Sequence, residues 1–336
     1  MTGSPRRYLA VLLCLQLVLA GCGQKQDTIE IKFSHVVAPN TPKGRAADHF
    51  KKLAEERTQG RVKVNVFPNS QLYKDKEEIE ALQLGSVQML APSLAKFGPL
   101  GAREFEAFDL PYIFDGYDSL HTVTQGPVGQ GMLKRLEGKG LIGLAFWDNG
   151  FKHMSANRAL HKPEDVRGLK LRIQSSQVLA AQMKALGALP QVLAFSEVYQ
   201  ALQTGVVDGT ENPPSNFYTQ KMHEVQKYLA ATGHGYLGYA VIVNKAFWEG
   251  LPPDLRQTLE ECMAEATRYA NDIARKENED ALAKVRESGK TELIALSAEE
   301  KAAWRKALVP VHRQMEGVIG QELIQSIYGA TGFKAD

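Results

Sequence analysis

The fold of this chain is decided by Gly168-Leu169-Lys170-Leu171-Arg172 and by the later segment Val206-Val207-Asp208-Gly209-Thr210-Glu211-Asn212-Pro213. Arg172 lies in an apolar strand, and a buried guanidinium has to be paired because removing a charge from water is costly. The second strand stops at Asn212, before Pro213. Two strand ends, one with a forked cation and one with an amide, make a receptor for a carboxylate.

Strands alternate with helices on both sides of these segments. Period-two alternation or short apolar runs predict strands over 29–33, 62–66, 87–91, 141–147, 153–155, 169–173, 191–194 and 206–211. Helices are predicted over 46–59, 76–84 and 129–137, and a further helix is predicted to end at Gly205. A helical pair is predicted over 298–328. This order predicts the α/β class, with parallel βαβ units covered by helices on both faces.

The pattern also predicts two lobes. Lobe I is assigned residues 28–150 plus about 237–276, and lobe II residues 151–236 plus about 277–330. A helical pattern over 251–288 has no proline after Pro253 and would reach roughly 50 Å, long enough to pack along both lobes. The alternative is two helices broken near 272–276. The spacing of Glu77, Ala81, Leu82, Gln83, Gly85 and Val87 recurs from Glu197 to Val207, which indicates a repeated unit or a chance recurrence of helix formers.

The N-terminus has the pattern of a secretory leader. Arg6 and Arg7 precede an apolar run over 9–20, which is short for a membrane anchor. Leu19-Ala20-Gly21-Cys22 matches a lipobox, so residues 1–22 are predicted to be a lipoprotein signal peptide whose Cys22 is acylated; the alternative is an ordinary cleaved leader with an incidental cysteine. With Cys14 removed and Cys22 acylated, Cys262 has no internal disulfide partner.

The composition excludes several other classes of protein. The chain has 336 residues, of which 44% are hydrophobic and 23% charged, as in ordinary globular proteins. Its 40 Lys and Arg balance 38 Asp and Glu, so no general basic surface for nucleic acid is expected. No later segment approaches eighteen consecutive apolar residues, which excludes a permease. The fingerprint-like Gly138-x-Gly140-x-x-Gly143 precedes a strand and therefore is not a phosphate-binding loop.

The order of several short motifs resembles the substrate-binding receptors of TRAP transporters (tripartite ATP-independent periplasmic transporters), in the branch that binds C4-dicarboxylates. They are Phe33-Ser34-His35, Gln71-Leu72-Tyr73-Lys74-Asp75-Lys76 and Asn149-Gly150-Phe151-Lys152, together with the two strand ends above. The resemblance covers residues 28–330. It implies a two-lobed periplasmic binding protein fold, with a mostly parallel sheet flanked by helices in each lobe and a long helix spanning both.

The resemblance also implies a function. The chain would bind malate, succinate or fumarate between its lobes and deliver it to the membrane subunits of a TRAP permease. It would need no cofactor and no metal, and would contact the membrane only through the lipid on Cys22. Hinge closure would bring both lobes onto the ligand.

The candidate ligand-binding residues have different origins. In the resembled family, residues matching Arg172 and Asn212 contact the ligand carboxylate, and Lys152 is the residue of the C4-dicarboxylate branch. Three more polar residues stand near strand ends of lobe I, namely His35, Lys43 and Ser93. Two aromatic residues, Phe195 and Tyr236, adjoin predicted loops. The alternatives are an ion pair of Arg172 with Glu211, a turn-capping Asn212, a solvated Lys152, a packed neutral His35 and core aromatics.

Two other functions use the same sequence features. A periplasmic hydrolase or lyase would act on a carboxylate, but a cation and an amide bind without reacting, so no enzyme is expected. A partner protein that presents the ligand to a sensor kinase would share the same pocket.

Overall fold

The computed structural model describes residues 28–335, and within them one nine-stranded mixed sheet carries flanking helices. Its spatial order is β2-β1-β3-β8-β4-β7-β5-β6, with β9 paired to β8. The strands are β1 Ile29–Ser34, β2 Val62–Phe67, β3 Met89–Leu90, β4 Leu141–Ala156, β5 Lys170–Ile173, β6 Leu189–Val192, β7 Gly209–Asn212, β8 Tyr228–Asn244 and β9 Glu292–Ile294. The predicted signal peptide and Cys22 lie outside the described residues.

The sheet has two parallel ends joined by an antiparallel centre. We call β2-β1-β3 the first sheet end, where β1 pairs in parallel with both neighbours. The second sheet end is β7-β5-β6, where β5 pairs in parallel with both neighbours. Strands β4 and β8, of 16 and 17 residues, pair antiparallel with each other and connect the two ends. The predicted α/β fold, with parallel strands in each lobe, is therefore confirmed. The parallel strands of the two ends belong to one continuous sheet, joined by β4 and β8.

Helices cover both faces of this sheet. The α-helices are Pro42–Arg57, Glu78–Gln83, Tyr117–Thr124, Pro127–Arg135, Gln177–Ala185, Val198–Gln203, Pro214–Thr219, Lys245–Glu249, Pro253–Ser288, Ala298–Leu308, Val311–Ile319 and Gln321–Thr331. Short 3-10 helices include Leu94–Lys96, Arg103–Asp109 and Phe195–Glu197. No helix in the described part is long and apolar enough to span a bilayer.

The helix Pro253–Ser288 is the long element that the sequence predicts. It runs for 36 residues without the alternative break near 272–276, a length of about 54 Å. Leu259 and Cys262 join the apolar core under the first sheet end. Val285 joins a core with Phe195 and Phe217 at the second. One continuous helix therefore packs along both ends of the sheet.

Several predicted elements differ from the structure. The strands predicted over 141–147 and 153–155 form the single strand β4, because β8 supplies backbone partners along its whole length. Strand β8 itself was not predicted, since Gly233, Gly235 and Gly238 interrupt its apolar pattern. The predicted helical pair over 298–328 is three helices, because Pro310 and Gly320 each interrupt the chain.

A β-bulge in β4 lies where the predicted lobes meet. The register with β8 shifts between Asp148 and Gly150. The Asn278 side chain of the long helix donates to the Asn149 carbonyl at 2.7 Å. A Cβ on Gly150 would stand 2.6 Å from Asn278 Nδ2, so a side chain there would displace Asn278 from its bond to the Asn149 carbonyl. The predicted lobe boundaries at 150/151 and 236/237 fall at this bulge, and we propose it as the hinge.

The repeated sequence pattern corresponds to a repeated structure. Glu78–Gln83 and Val198–Gln203 are both six-residue helices, and each is followed by a glycine with positive φ, Gly85 at 75° and Gly205 at 73°. Each glycine leads into a strand, β3 or β7. The same helix–turn–strand unit therefore stands at both ends of the sheet.

Candidate functional site

A small cavity lies between the carboxyl ends of the strands at the two sheet ends. Its empty volume is about 270 Å³. The lining residues are Val36, Val37, Lys43, Asp75, Ser93, Lys96, Arg172, Gln174, Phe195, Asn212, Asn216, Leu237 and Tyr239.

Arg172 is the cation that the second sheet end contributes to this cavity. Its side chain is 2% exposed, and burial lowers its pKa from the usual value, although Asp75 and Glu211 oppose the shift. Nε and Nη2 both donate to the Leu193 carbonyl, at 3.0 and 2.8 Å, which fixes the plane of the guanidinium. Nη1 makes no hydrogen bond to any described residue, so it is available to an anion in the cavity.

Asn212 and Asn216 form the amide side of the cavity. Asn212 ends β7, and its Nδ2 lies 3.1 Å from Thr210 Oγ1. Asn216, on the helix that follows, accepts a hydrogen bond of 3.0 Å from Asn149. Asn149 also donates to Tyr239 Oη at 2.6 Å. These bonds connect the cavity wall directly to the bulge in β4.

Lys43 is a buried lysine for which the described residues supply no ion-pair partner. It lies in the first turn of the helix Pro42–Arg57, whose start is fixed by the Thr41 cap and by proline at its first position. Its Nζ donates to the Ala91 carbonyl at 2.9 Å and lies 3.8 Å from the centre of the Tyr239 ring. Within the described residues no carboxylate lies within 4.0 Å of it. Burial, with a contribution from nearby Lys96, lowers the pKa of Lys43 from 10.5 to about 7.

The third cation, Lys96, is neutralised by two acids. Its Nζ is bonded to Asp75 and, at 2.7 Å, to Glu78. The Asp75 side chain is 10% exposed and also lies 3.7 Å from Arg172 Nη2. Burial alone would raise the pKa of Asp75, but Lys96 and Arg172 lower it, so Asp75 is ionised at neutral pH.

The charges that line the cavity favour a dianion. Three cations and one carboxylate line it, and because Lys96 is already paired with Asp75 and Glu78, Lys43 and Arg172 are the two cations left to face a ligand. The apolar part of the wall comes from Val36, Val37, Phe195 and Leu237. The Arg172 guanidinium carbon lies 5.6 Å from the centre of the Phe195 ring, within cation–π distance. Apolar walls between cationic ends suit a short carbon chain with a carboxylate at each end.

A family model then decides the assignment. The model of the bacterial extracellular solute-binding proteins, family 7, matches residues 33–317. The chain belongs to this family. Family 7 is a family of solute receptors, described as extracellular, and this agrees with the location that the sequence predicts.

Relatives and solved structures agree with this family 7 assignment. The C4-dicarboxylate-binding periplasmic protein DctP of Rhodobacter capsulatus is 66% identical over 305 residues, 91% of this chain and 92% of that protein. A TRAP periplasmic solute-binding protein from Sulfurospirillum deleyianum, solved with bound succinate, has a TM-score of 0.88 and 50% identity, over 90% of this chain and 99% of the other. A TRAP periplasmic solute-binding protein from Pseudomonas aeruginosa, solved with bound L-malate, has a TM-score of 0.83 and 45% identity, over 85% of this chain and 99% of the other. The predicted TRAP-receptor identity and two-lobed fold are confirmed.

Five of the eight predicted site residues of this family 7 receptor line the cavity. They are Arg172, Asn212, Lys43, Ser93 and Phe195. Ser93 accepts a hydrogen bond of 2.6 Å from Gln174, which brings the two sheet ends together. The structure thus places the predicted cation and amide of the second sheet end opposite polar residues of the first.

Lys152, His35 and Tyr236 lie outside this lining. Lys152 is 1% exposed and bonded to Glu211 at 3.0 Å. Glu211 precedes Asn212 in β7, and neighbouring residues of a strand point to opposite faces, so this ion pair lies on the other side of the sheet. Arg172 therefore pairs with Asp75 instead of Glu211, the partner considered from the sequence.

His35 and Tyr236 have different surroundings. His35 is 1% exposed, and neither ring nitrogen has a hydrogen-bond partner among the described residues. Burial and Lys43 lower the pKa of His35 to about 3, so it is neutral. Tyr236 packs in the apolar core and donates to Asp148 at 2.6 Å. Tyr239, three residues along β8, faces the cavity instead.

Sequence reasoning missed eight lining residues of this receptor. They are Asp75, Lys96, Gln174, Asn216, Tyr239, Val36, Val37 and Leu237. Gln174 directly follows β5, and Asn216 comes shortly after β7, so the rule that ligands bind at strand carboxyl ends points to both. Among the described residues, no cluster of potential ligands is suited to hold a metal ion.

Proposed function

We propose that this receptor binds a C4-dicarboxylate such as succinate, malate or fumarate in the cavity and delivers it to the membrane subunits of a TRAP permease. The observation that supports this most directly is that Lys43 of the first sheet end and Arg172 of the second both line the cavity, with apolar residues between them. The relatives named for C4-dicarboxylates and the structures with succinate and L-malate support the same ligand class.

The two carboxylates would bind at opposite sides of the cavity. Nη1 of Arg172 and the amide of Asn212 would hold one carboxylate from the second sheet end. Lys43, with two ammonium hydrogens not used by Ala91, and Ser93 would hold the other from the first. A ligand bridging both ends gains contacts only when the lobes are closed, and this difference would shift the protein to the closed form.

The same residues argue against catalysis. The cavity offers cations, amides and a carboxylate that is already paired with Lys96. A hydrolase or lyase would need a positioned nucleophile or base near the ligand. We therefore propose a receptor without enzymatic activity, and turnover of malate or fumarate by the purified chain would contradict this proposal.

Diacids should bind far better than matched monoacids. Butyrate has the length of succinate but leaves one buried cation without a partner, which costs about 1–3 kcal/mol or more. We expect butyrate to bind about tenfold to a hundredfold more weakly than succinate. Isothermal titration calorimetry of the mature chain with both compounds measures this ratio. Equal affinities would contradict the dicarboxylate assignment, while loss of binding to both would argue against a carboxylate receptor altogether.

We also propose that the receptor is periplasmic and anchored by lipid on Cys22, as the lipobox indicates. Cys22→Ser removes the acylated thiol, so the protein should appear in the soluble fraction or remain unprocessed. Cell fractionation with immunoblotting measures the partition. An unchanged membrane fraction for the variant would show that Cys22 does not carry the anchor.

A further inference from the structure

Asp75 connects the two sides of the cavity in a way that the ligand-binding roles above leave unexplained. It belongs to the segment between β2 and the helix Glu78–Gln83, on the first sheet end. Its Oδ2 accepts the backbone N–H of Phe195 at 2.7 Å. Phe195 begins the 3-10 turn after β6, on the second sheet end. The carboxylate therefore spans the cleft beside the bound-ligand position.

The carboxylate is held rigidly from its own side. Lys96 bonds to its other oxygen, and Glu78 in turn holds Lys96 at 2.7 Å. All three side chains are at most 10% exposed. Charge-assisted hydrogen bonds of this kind are about twice as strong as neutral ones. Oδ2 is thus already positioned for a donor that arrives from the second sheet end.

The donor to Asp75 is a backbone N–H, that of Phe195, and its position depends on how far the two lobes have closed. A backbone N–H cannot rotate away as a side chain can, so it reports the position of the 195–197 turn itself. The neighbouring pair of Lys74 and Glu197, 2.9 Å apart, crosses at the same place. Both of those side chains are about half exposed, and exposed pairs contribute little. Asp75 is therefore the strong contact at this edge of the cleft.

We propose that Asp75 is an interlobe latch, a positioning residue that holds the receptor closed over its ligand by accepting the Phe195 N–H. The proposal rests on the proposed function, since a latch matters only if the lobes close on a ligand. A contact that exists only in the closed form stabilises that form and slows ligand release.

In the opposite role, Asp75 would compete with the ligand carboxylate for Arg172. Asp75 also lies 3.7 Å from Arg172, where a ligand carboxylate would be attracted. If repulsion or competition were its main effect, removing its charge would strengthen the binding of a dianion. The latch role predicts the reverse. The sign of the change in affinity therefore decides between them.

The test is Asp75→Asn, which keeps the shape and one acceptor oxygen but removes the charge. We expect succinate to bind about tenfold to a hundredfold more weakly, with the loss mainly in a faster dissociation rate and an association rate within about threefold of the parent. Calorimetry gives the affinity, and stopped-flow fluorescence gives the two rates. Unchanged or tighter binding, or a loss confined to the association rate, would overturn the latch.

Two controls make the result specific. Glu197→Gln breaks the exposed pair at the same cleft edge, and its affinity should change by less than about fivefold. Thermal melting without ligand shows whether Asp75→Asn is folded; if it is not, Asp75→Glu, which keeps the charge but moves it by one methylene, is measured in its place and should also release succinate faster. Absence of succinate binding by the parent would refute the proposed function, whereas a binding parent with an unaffected variant would refute only the latch.

Discussion

Arg172→Lys is expected to weaken succinate binding by about tenfold to a hundredfold while leaving the chain folded. Arg172 holds a planar fork whose Nε and Nη2 are bonded to Leu193, so that Nη1 is directed by the rest of the guanidinium. Lysine keeps the charge but replaces this fork with a mobile ammonium. A lost charge-assisted hydrogen bond costs about 1.5–3 kcal/mol, and each 1.4 kcal/mol is tenfold in Kd.

Arg172→Ala should weaken binding further, because it leaves a ligand carboxylate buried without its cation. Calorimetry with succinate gives the affinities, and thermal melting tests the fold. Arg167→Lys, an exposed arginine just before the same strand, is the matched control and should bind as the parent does. If Arg172→Lys binds succinate as tightly as the parent while folded, Arg172 is only a partner of Asp75 and the anion site lies elsewhere.

The parts of the fold with local signals could be predicted from the sequence. Alternation of Ile29, Ile31 and Phe33 predicts β1, and the absence of proline after Pro253 predicts the long helix. The continuity of β4 and β8 could not be predicted. Their alternation is interrupted by Asn149-Gly150 and by several glycines, and the two strands stay in the sheet because each supplies the other's hydrogen bonds. That pairing joins residues far apart in the chain, which no local window contains.

The candidate site divides in the same way. Arg172 and Asn212 could be predicted because a charge and an amide end two apolar strands. Asp75 lies in a turn and Lys96 ends a short 3-10 helix, places where a charged residue is usually solvated, and only the folded chain shows that they are buried together. Tyr236 and Tyr239 differ by an odd number of positions in β8 and so face opposite sides of the sheet, but a strand that is not recognised has no assignable faces.

The sequence also predicts that Arg172 faces a solvated cleft when no ligand is bound. In the structure its side chain is only 2% exposed: Nε and Nη2 donate to the Leu193 carbonyl, and Asp75 of the other sheet end lies 3.7 Å from Nη2. Asp75 is therefore part of the surroundings of Arg172 without any ligand. This is why the arginine and the acid have to be tested separately.

Lys43→Met is expected to weaken succinate binding by between about a hundredfold and several thousandfold and to abolish the preference for succinate over butyrate. Methionine keeps much of the length and apolar contact of lysine but removes the cation. A ligand carboxylate would then be buried without a partner, and breaking a buried ion pair costs about 3–5 kcal/mol. Butyrate has no second carboxylate to lose, so its affinity should change little. Lys52→Met, an exposed lysine on the same helix, is the control.

The pH dependence of binding isolates Lys43 from its neighbours. Burial lowers the pKa of Lys43 from 10.5 to about 7 in the ligand-free chain, and a bound carboxylate would raise it again. The liganded chain then holds more protons than the free chain, so succinate affinity should fall as the pH rises above about 7. In the same window the unfolded chain binds more protons than the ligand-free folded chain, so this lysine makes the ligand-free fold more stable as the pH rises towards 10.5.

Lys96 and Asp75 are not expected to titrate there, since the pKa of Lys96 is raised by its two acids, against the effect of burial, and that of Asp75 is lowered. Calorimetry at pH 7.5 in two buffers of different ionisation enthalpy measures the protons taken up on binding. The parent should take up protons, and Lys43→Met should lose that part of the uptake. Equal proton uptake in both proteins, or a Lys43→Met variant that still prefers succinate, would place the second carboxylate on another cation, with Lys96 the nearest candidate in the cavity.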